Sequence, residues 1–305
     1  MKKFILFISA CFIAVGLYAS KDKPAVARIS SCPFLDGMVD MKVSLGEHVK
    51  KGQLLFIIST DYTQITKVQC ENRVWYYKEE YERIKKLAKS RSKSLENVQE
   101  AKYNLEHAIE SLKIESLLIN KWSKYYAPFD GVVTKIYNYS GSGVSRGSGN
   151  CANNNAVLEV TKLEDYKKGG IKIGPAVAQV IPMLIGIVDL KVTLGEKVKK
   201  SQLLFKIDTA FYEIRKAKRK ANLEYNKAKY ERTKKLYEQN NGSLKYYQTA
   251  LYDYKNAVQD LKATELLVNK RSCYYAPFDG VVTDIIHYTG SYVFTGHKVL
   301  EVTKS

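Results

Sequence analysis

YYAPFDGVVT, at residues 125–134, returns unchanged at residues 274–283, an offset of 149 residues. The same offset relates VSLGEHVKKGQLLF at residues 43–56 to VTLGEKVKKSQLLF at residues 192–205. Two matched stretches at one constant spacing indicate an internal repeat. We therefore predict that the chain is a tandem duplication in which both copies follow one plan.

Each copy opens with strand patterns. Apolar and polar residues alternate over residues 39–45 and again over residues 188–194, which is the two-residue period of a half-buried strand. Short apolar runs follow at residues 54–58 and 203–207, and they are typical of buried strands. These patterns predict a small β-module in each copy.

A different period follows within each copy. Residues 61–124 and 210–273 contain no proline, and their apolar residues recur every three or four positions. This spacing predicts two helices in each segment, packed as an antiparallel coiled-coil hairpin. Turns are expected near residues 90–94 and 240–243, where Gly242 and the serines end one helix and start the next. The predicted seam of the last helix contains Leu244, Tyr247, Leu251, Tyr254, Val258, Leu261 and Val268.

Composition and charge exclude several classes of protein. The 305 residues include 45% hydrophobic residues and six prolines, which excludes a disordered or collagen-like chain. A mean hydropathy of −0.29 excludes a polytopic membrane protein. Of the formal net charge of +18, the two hairpin segments carry +3 and +8. This positive charge favours an acidic partner surface, and a solvated basic face is the alternative explanation. No sequence motif supports binding to nucleic acid.

The first residues are typical of a targeting segment. Two lysines precede an apolar run, and Ala19 is a small residue at which a signal peptidase could cut. We predict a signal peptide at residues 1–19 and therefore export. The sequence around Cys11 also resembles a lipoprotein cleavage site, which is the alternative for this segment.

The cysteines and short motifs do not indicate an enzyme. Cys32 and Cys151 would form a disulfide in an oxidising compartment, and isolated thiols are the alternative. The G-x-S-x-G match at residues 143–147 lies in a Gly/Ser-rich stretch and not at a strand-to-helix elbow. The histidines form no close ligand cluster. We expect no catalytic residues, no metal site and no cofactor.

The order of these elements resembles the periplasmic adaptor, or membrane fusion, proteins of the HlyD and AcrA type. The similarity rests on GEHVKKGQLL at residues 46–55 and APFDGVV at residues 127–133, and on their second copies at residues 195–204 and 276–282. In that family the two β halves around the hairpin form one biotinyl/lipoyl-like domain. The resemblance implies an α+β fold with two tandem lipoyl-like modules, each interrupted by a helical hairpin.

The resemblance also implies domain boundaries. We expect lipoyl-like domain 1 at residues 20–162, a linker at residues 163–173, and lipoyl-like domain 2 at residues 174–305. Family members usually continue from the lipoyl-like domain into a β-barrel and a membrane-proximal domain. Here a second lipoyl-hairpin unit follows the first, so the resemblance leaves contact with an inner-membrane transporter open.

A further family feature is a pattern at the hairpin tip. Adaptors of this kind carry R-x3-L-x6-S, which engages the periplasmic end of a TolC-like outer-membrane channel. An arginine and a leucine four positions apart share one helix face, and the serine follows just past the turn. The same residue types also fit ion pairing along the helix, seam packing and helix capping. The two copies carry the pattern as Arg83, Leu87 and Ser94 and as Arg232, Leu236 and Ser243.

The resemblance implies a non-enzymatic adaptor of an efflux or secretion system in the periplasm of a diderm bacterium. Its expected partners are a TolC-like channel and, with the reservation above, an inner-membrane transporter. Adaptors typically form hexameric rings, so a trimer of this duplicated chain would present six hairpins. The alternative is an exported scaffold protein that assembles through its hairpins without a transporter.

Overall fold

The computed structural model describes residues 16–18, 26–30, 36–90, 94–144, 156–168 and 173–305. These residues divide into two compact units. The β unit comprises the described residues of Met1–Thr60, Asn120–Asp208 and Lys270–Ser305. The helical unit comprises those of Asp61–Ile119 and Thr209–Asn269.

The secondary structure alternates between strands and long helices. The strands are β1 (Gly16–Tyr18), β2 (Val26–Ser30), β3 (Gly37–Met41), β4 (His48–Val49), β5 (Leu54–Ile58), β6 (Lys124–Tyr126), β7 (Gly131–Ile136), β8 (Gly143–Val144), β9 (Ala156–Lys162), β10 (Val177–Val180), β11 (Gly186–Leu190), β12 (Lys197–Val198), β13 (Leu203–Ile207), β14 (Cys273–Tyr275), β15 (Gly280–Ile285), β16 (Tyr292–Val293) and β17 (Leu300–Lys304). The helices are α1 (Asp61–Lys89), α2 (Leu95–Asn120), α3 (Leu163–Lys167), α4 (Ala210–Glu238) and α5 (Leu244–Lys270). The molecule is therefore of the α+β class, as predicted.

The β unit contains two sets of antiparallel sheets whose strand orders correspond, apart from the additional edge strand β1 in the first set. One set has the orders β1-β2-β9-β7-β4 and β6-β5-β3-β8, and the other has β10-β17-β15-β12 and β14-β13-β11-β16. Even the irregularities correspond, because the register shifts between Val133 and Lys135 in one set and between Val282 and Asp284 in the other. The short strand β1, which lies within the predicted signal peptide, pairs with β2 at the edge of its sheet.

Each set of sheets is centred on a stacked aromatic pair. The ring of Phe56 lies 4.4 Å from that of Tyr125, and the ring of Phe205 lies 4.7 Å from that of Tyr274. All four side chains are buried. Burial of such large rings removes much apolar surface from water, which stabilises the sheets.

A tight turn ends strand β3 earlier than the alternating pattern of residues 39–45 predicts. The prediction extends to residue 45, whereas β3 ends at Met41. The backbone N–H of Ser44 donates to Glu47 Oε2 at 2.8 Å, and Gly46 adopts φ +84°. This turn takes the chain away from the sheet, so Val43 is buried without belonging to the strand.

The helical unit holds two helix pairs, α1 with α2 and α4 with α5. Between α4 and α5, Arg219 Nη1 lies 2.7 Å from Asp260 Oδ2 and Lys229 Nζ lies 2.9 Å from Asp253 Oδ2. Both pairs bury small side chains at equivalent positions, Ala101 and Ala108 on α2 and Ala250 and Ala257 on α5. The expected turns, at residues 90–94 and 240–243, fall between the helices of each pair.

Several expectations fall outside the described residues or lack a direct test. Cys11, Cys32 and Cys151 lie outside the described part, and so do their predicted lipidation and disulfide. Cys70 and Cys273 are free thiols. Helix α3 occupies part of the predicted linker. The predicted domain boundaries and signal peptide stay predictions.

Candidate partner-binding site at the ends of the helix pairs

The two predicted binding motifs lie where the helices of each pair meet in sequence. We call Arg83, Leu87 and Ser94 the first tip, and Arg232, Leu236 and Ser243 the second tip. The arginine and leucine of each tip lie in the last two turns of α1 or α4, and each serine directly precedes α2 or α5. Local sequence therefore places both motifs at corresponding positions.

The arginine of the first tip folds back on its own helix. Arg83 Nη2 lies 3.4 Å from Glu80 Oε1, and 21% of each side chain is exposed. Its Nε is buried and finds no hydrogen-bond partner among the described residues. This geometry agrees with pairing along the helix more than with presentation to a partner.

The serine of the first tip caps α2. The backbone N–H of Asn97 donates to Ser94 Oγ at 3.3 Å, and the backbone N–H of Ser94 donates back to Asn97 Oδ1 at 3.3 Å. This reciprocal pair is a capping box with asparagine at the third helical position. Ser90 Oγ also donates to the carbonyl of Leu87 at 2.9 Å, which satisfies a terminal carbonyl of α1.

The second tip ends α4 with a different residue from the one predicted. Asn240, not Gly242, adopts the left-handed conformation, with φ +55°. Its N–H donates to the carbonyl of Tyr237 at 3.0 Å, and the N–H of Asn241 donates to the carbonyl of Leu236 at 2.9 Å. These two bonds form a Schellman motif.

Gly242 is required at the second tip because it has no side chain. A Cβ on Gly242 would lie 2.8 Å from the backbone nitrogen of Tyr237 and 2.9 Å from the carbonyl carbon of Leu236. Backbone atoms cannot yield as a flexible side chain would, so the close approach requires glycine. The sequence predicted that Gly242 ends the helix; the turn lies where predicted, but Asn240 is the residue that ends α4.

The second tip presents its side chains to solvent more than the first. Arg232 and Ser243 are exposed, and Leu236 is 42% exposed, whereas Arg83 and Leu87 are half-buried. Tyr237 is held by stacking on Tyr247, with ring centres 5.2 Å apart. An exposed guanidinium beside an exposed leucine can bind a surface that offers both a carboxylate and an apolar pocket.

Polar chemistry in the β unit is structural in character. A cavity of about 260 Å³ is lined by Tyr137 and Tyr139 among others. Burial, with a hydrogen bond to Glu159, raises the pKa of Tyr137 to about 12; burial raises that of Tyr139 to about 12. Arg28 also donates to Glu159 at 2.9 Å. No group of three His, Cys, Asp or Glu side chains in the described ranges is placed to hold a metal ion.

Sequence reasoning missed the contact between the two helix pairs. Tyr76 of α1 stacks on Tyr252 of α5 with ring centres 4.7 Å apart, and Gln69 donates to Asp260 at 2.9 Å. The apolar seam pattern predicts only one packing partner for each helix, namely the other helix of its own pair. Tyrosines at several other positions were the available signal of a second packed face.

Comparisons with known proteins find one family model that matches part of the chain. Residues 176–305 match the family model described as RND MFP, barrel-sandwich hybrid domain. No curated protein matches the chain. Among the helices that the structure describes, none has both the length and the apolar character needed to cross a membrane.

The chain is also similar to parts of solved structures. One is a MacA–MexA chimeric protein containing the Pseudomonas aeruginosa MexA alpha-hairpin domain, at 26% identity and a TM-score of 0.34, over 42% of this chain and 47% of that chain. Another is ZneB from Cupriavidus metallidurans, at 22% identity and a TM-score of 0.33, over 42% of this chain and 60% of that chain. The chain therefore spans less than two thirds of the length of these structures.

The family-model match confirms the resemblance to membrane fusion proteins that the sequence motifs indicate. The matched residues contain β10 to β17 with α4 and α5, including the second tip. RND membrane fusion proteins are non-enzymatic periplasmic adaptors of efflux systems.

Proposed function

We propose that this protein is a non-enzymatic periplasmic adaptor of an efflux or secretion system, and that it docks its tips onto a TolC-like outer-membrane channel. The observation that carries the proposal is the match of residues 176–305 to the barrel-sandwich hybrid domain of RND membrane fusion proteins. In the proposed protein, both halves of the chain are copies of one lipoyl-like domain with a long hairpin. The signal peptide at residues 1–19 would direct export.

The second tip is the proposed main contact with the channel. Exposed Arg232 and Leu236 supply a charge and an apolar side chain on one helix face. The Schellman turn holds the backbone beyond them, which lowers the ordering cost of binding. Arg83 must give up its contact with Glu80 before it can bind, so the first tip contributes less.

The proposed assembly is a homo-oligomer, with three chains presenting six hairpins. An inner-membrane transporter is a further proposed partner. The second candidate function is an exported scaffold that assembles through its helices. The aromatic and polar contacts between α1 and α5 favour this function, because these two helices pack side by side.

Channel recovery by the second tip tests the docking proposal. We expect cross-linking in native cells to recover a TolC-like channel with the wild-type chain, and recovery to fall strongly with Arg232→Asp or Leu236→Ser. Arg83→Asp should reduce it less. Lys220→Asp makes the same charge change on an exposed residue of α4, about 18 Å along the helix from Arg232, and serves as the matched control.

Two outcomes would contradict the proposal in different ways. Equal recovery with Arg232→Asp, Leu236→Ser and Lys220→Asp would exclude docking through the second tip. Failure of the wild-type chain to recover any channel, together with retained self-association, would favour the scaffold function.

A further inference from the structure

The contact between α1 and α5 is an interface with a defined register. Tyr76 stacks on Tyr252, Gln69 donates to Asp260 at 2.9 Å, and Gln248 donates to Glu79 at 3.0 Å. The residue numbers rise on one helix as they fall on the other, so the two helices are antiparallel. This register relates a helix of the first pair to a helix of the second.

Applying the 149-residue offset to this interface identifies an equivalent pair of helix faces elsewhere in the chain. The offset converts α1 into α4 and α5 into α2, and it converts Tyr76 into Tyr225 and Tyr252 into Tyr103. Tyr225 and Tyr103 are each 65% exposed. The stacked pair inside the chain thus corresponds to two solvent-exposed tyrosines on different helices.

Further exposed apolar residues continue the same register. Ile214 lies eleven residues before Tyr225, and Ile114 lies eleven residues after Tyr103, as antiparallel pairing requires. Both isoleucines are exposed. Their counterparts at the internal contact, Ile65 and Ala263, line one small cavity between the helices.

A third pair follows one turn further along. Phe211 precedes Tyr225 by 14 residues, Leu117 follows Tyr103 by 14 residues, and both are exposed. Spacings of 11 and 14 residues are close to three and four helical turns, so each set lies on one helix face. We call the face with Tyr225, Ile214 and Phe211 the α4 face, and the face with Tyr103, Ile114 and Leu117 the α2 face.

Charge makes the two helices complementary. Helix α4 holds ten Lys and Arg against four Asp and Glu, a net charge of +6, whereas α2 holds two against five, a net charge of −3. Opposite charges favour contact between α4 and α2, and like charges disfavour contact of α4 with α4 or of α2 with α2. The faces are therefore suited to each other.

We propose that the α4 face of one chain binds the α2 face of a second copy, in the antiparallel register that joins α1 to α5 within a chain. Tyr225 then stacks on Tyr103 of the second copy, with the isoleucine pair and the Phe211–Leu117 pair beside it. The contact is head-to-tail, so each added chain leaves one face of each kind free until a ring closes. The inference rests on the homo-oligomer proposed above and does not depend on channel binding.

Cross-linking between two differently labelled chains tests the register. In full-length chains whose native cysteines are replaced by alanine, Tyr225→Cys in one chain and Tyr103→Cys in the other should be joined by a short bismaleimide. The matched control pairs Tyr225→Cys with Ile114→Cys, which lies on the same face but about 16 Å out of register. We expect loss of the cross-link in the control, and no product from either single variant alone.

Equal cross-linking in the control pair, or efficient joining of Tyr225→Cys chains to one another, would overturn the proposal. Sedimentation of the chain with its native cysteines gives a second test, which does not depend on the cysteine-free variant. Tyr225→Glu should weaken self-association by about tenfold or more, because it removes a central aromatic contact and places an acid against acidic α2. Tyr246→Glu, at an exposed tyrosine of α5 outside the α4 face, should leave it unchanged.

The wild-type association should also weaken as salt rises, because opposite charges attract less when screened. A wild-type chain that stays monomeric at every concentration and salt level would overturn the proposal. These results are separable from docking: a channel recovered without cross-linked chains would leave the adaptor proposal standing, and cross-linked chains without a channel would leave the interface standing.

Discussion

The two halves of the chain have nearly interchangeable β-modules but different helix pairs. In the modules, Phe56 on Tyr125 and Phe205 on Tyr274 form the same stacked core. In the helix pairs, Arg219 contacts Asp260 across the second pair, whereas the equivalent positions 70 and 111 hold a cysteine and a serine. Close packing of a core limits change, while a helix surface tolerates it.

The difference separates positions that are buried in both halves from positions that are packed in one half and exposed in the other. Helices α1 and α5 face each other within the chain, and α2 and α4 carry the exposed equivalents. A residue of one type can therefore be buried in one copy and exposed in the other, as Tyr139 and Tyr288 also are. Matched substitutions in the two copies test this comparison.

The largest effect is expected for the stacked cores, where the copies should respond alike. Phe56→Ala and Phe205→Ala each remove a fully buried ring and leave a cavity, which should cost about 3–5 kcal/mol of unfolding free energy. Urea denaturation followed by fluorescence would measure both. A small loss in one copy and a large loss in the other would show that the modules are not equivalent in stability.

The second effect concerns stability at high pH, where the copies should differ. Burial raises the pKa of Tyr139 to about 12, above the value near 10 expected for an unfolded chain. The folded state thus keeps this proton longer, so its contribution is full below pH 10 and is lost as the pH rises to 12. Relative to Tyr139→Phe, the wild type should lose about 2–3 kcal/mol over this interval.

The control is Tyr288→Phe, because Tyr288 occupies the equivalent position and is exposed. Its stability should follow that of the wild type across the same pH range. At pH 7, Tyr139→Phe should be at least as stable as the wild type, since the Tyr139 hydroxyl has no hydrogen-bond partner among the described residues. Identical alkaline profiles for wild type and Tyr139→Phe would contradict the burial of this phenol.

A smaller effect is expected from the polar contacts of the helices. Asp260→Ala removes the contacts with Arg219 and Gln69 and should cost about 1–2 kcal/mol, a value limited by partial exposure. Ser111→Ala at the equivalent position should cost less than about 0.5 kcal/mol. Thermal unfolding monitored by circular dichroism would compare them, and equal losses would remove the proposed distinction between the helix pairs.

The smallest effect is expected at the helix caps. Ser94→Ala should cost about 0.5–1 kcal/mol, because its hydroxyl accepts the N–H of Asn97. Ser243 accepts the N–H of Tyr247 through its backbone carbonyl, which alanine retains, so Ser243→Ala should cost less. Hydrogen exchange of the first turn of α2 and of α5 would detect the difference. A larger increase in exchange rate in α5 on Ser243→Ala than in α2 on Ser94→Ala would contradict this prediction.

Much of the fold follows from local patterns. The strand at residues 54–58 and the two turns between the helices were located correctly, because alternation, a seam spacing and turn residues act over a few positions. The end of β3 was predicted too late in the sequence, and the helix stop was assigned to Gly242 and not to Asn240. Both depend on backbone hydrogen bonds that a residue pattern does not specify.

The candidate site was predictable in position but not in exposure. Spacing placed Arg83 and Arg232 at corresponding points, yet one contacts a glutamate on its own helix and the other is exposed. The second copy has Lys229 at the position equivalent to Glu80, so Arg232 has a like charge where Arg83 has its carboxylate. Exposure depends on how each side chain packs, and this cannot be read from spacing.

By itself, the sequence determined the repeat, the alternation of strands and helices, the positions of both tips and the resemblance to membrane fusion proteins. Only the tertiary structure decided that α1 packs against α5, that Arg232 is exposed more than Arg83, and that Tyr139 is buried. The physical reason is range: periodicity and turns are properties of neighbouring residues, whereas the pairing of α1 with α5 and the burial of Tyr139 depend on residues distant in the sequence, such as Tyr252 and Phe278.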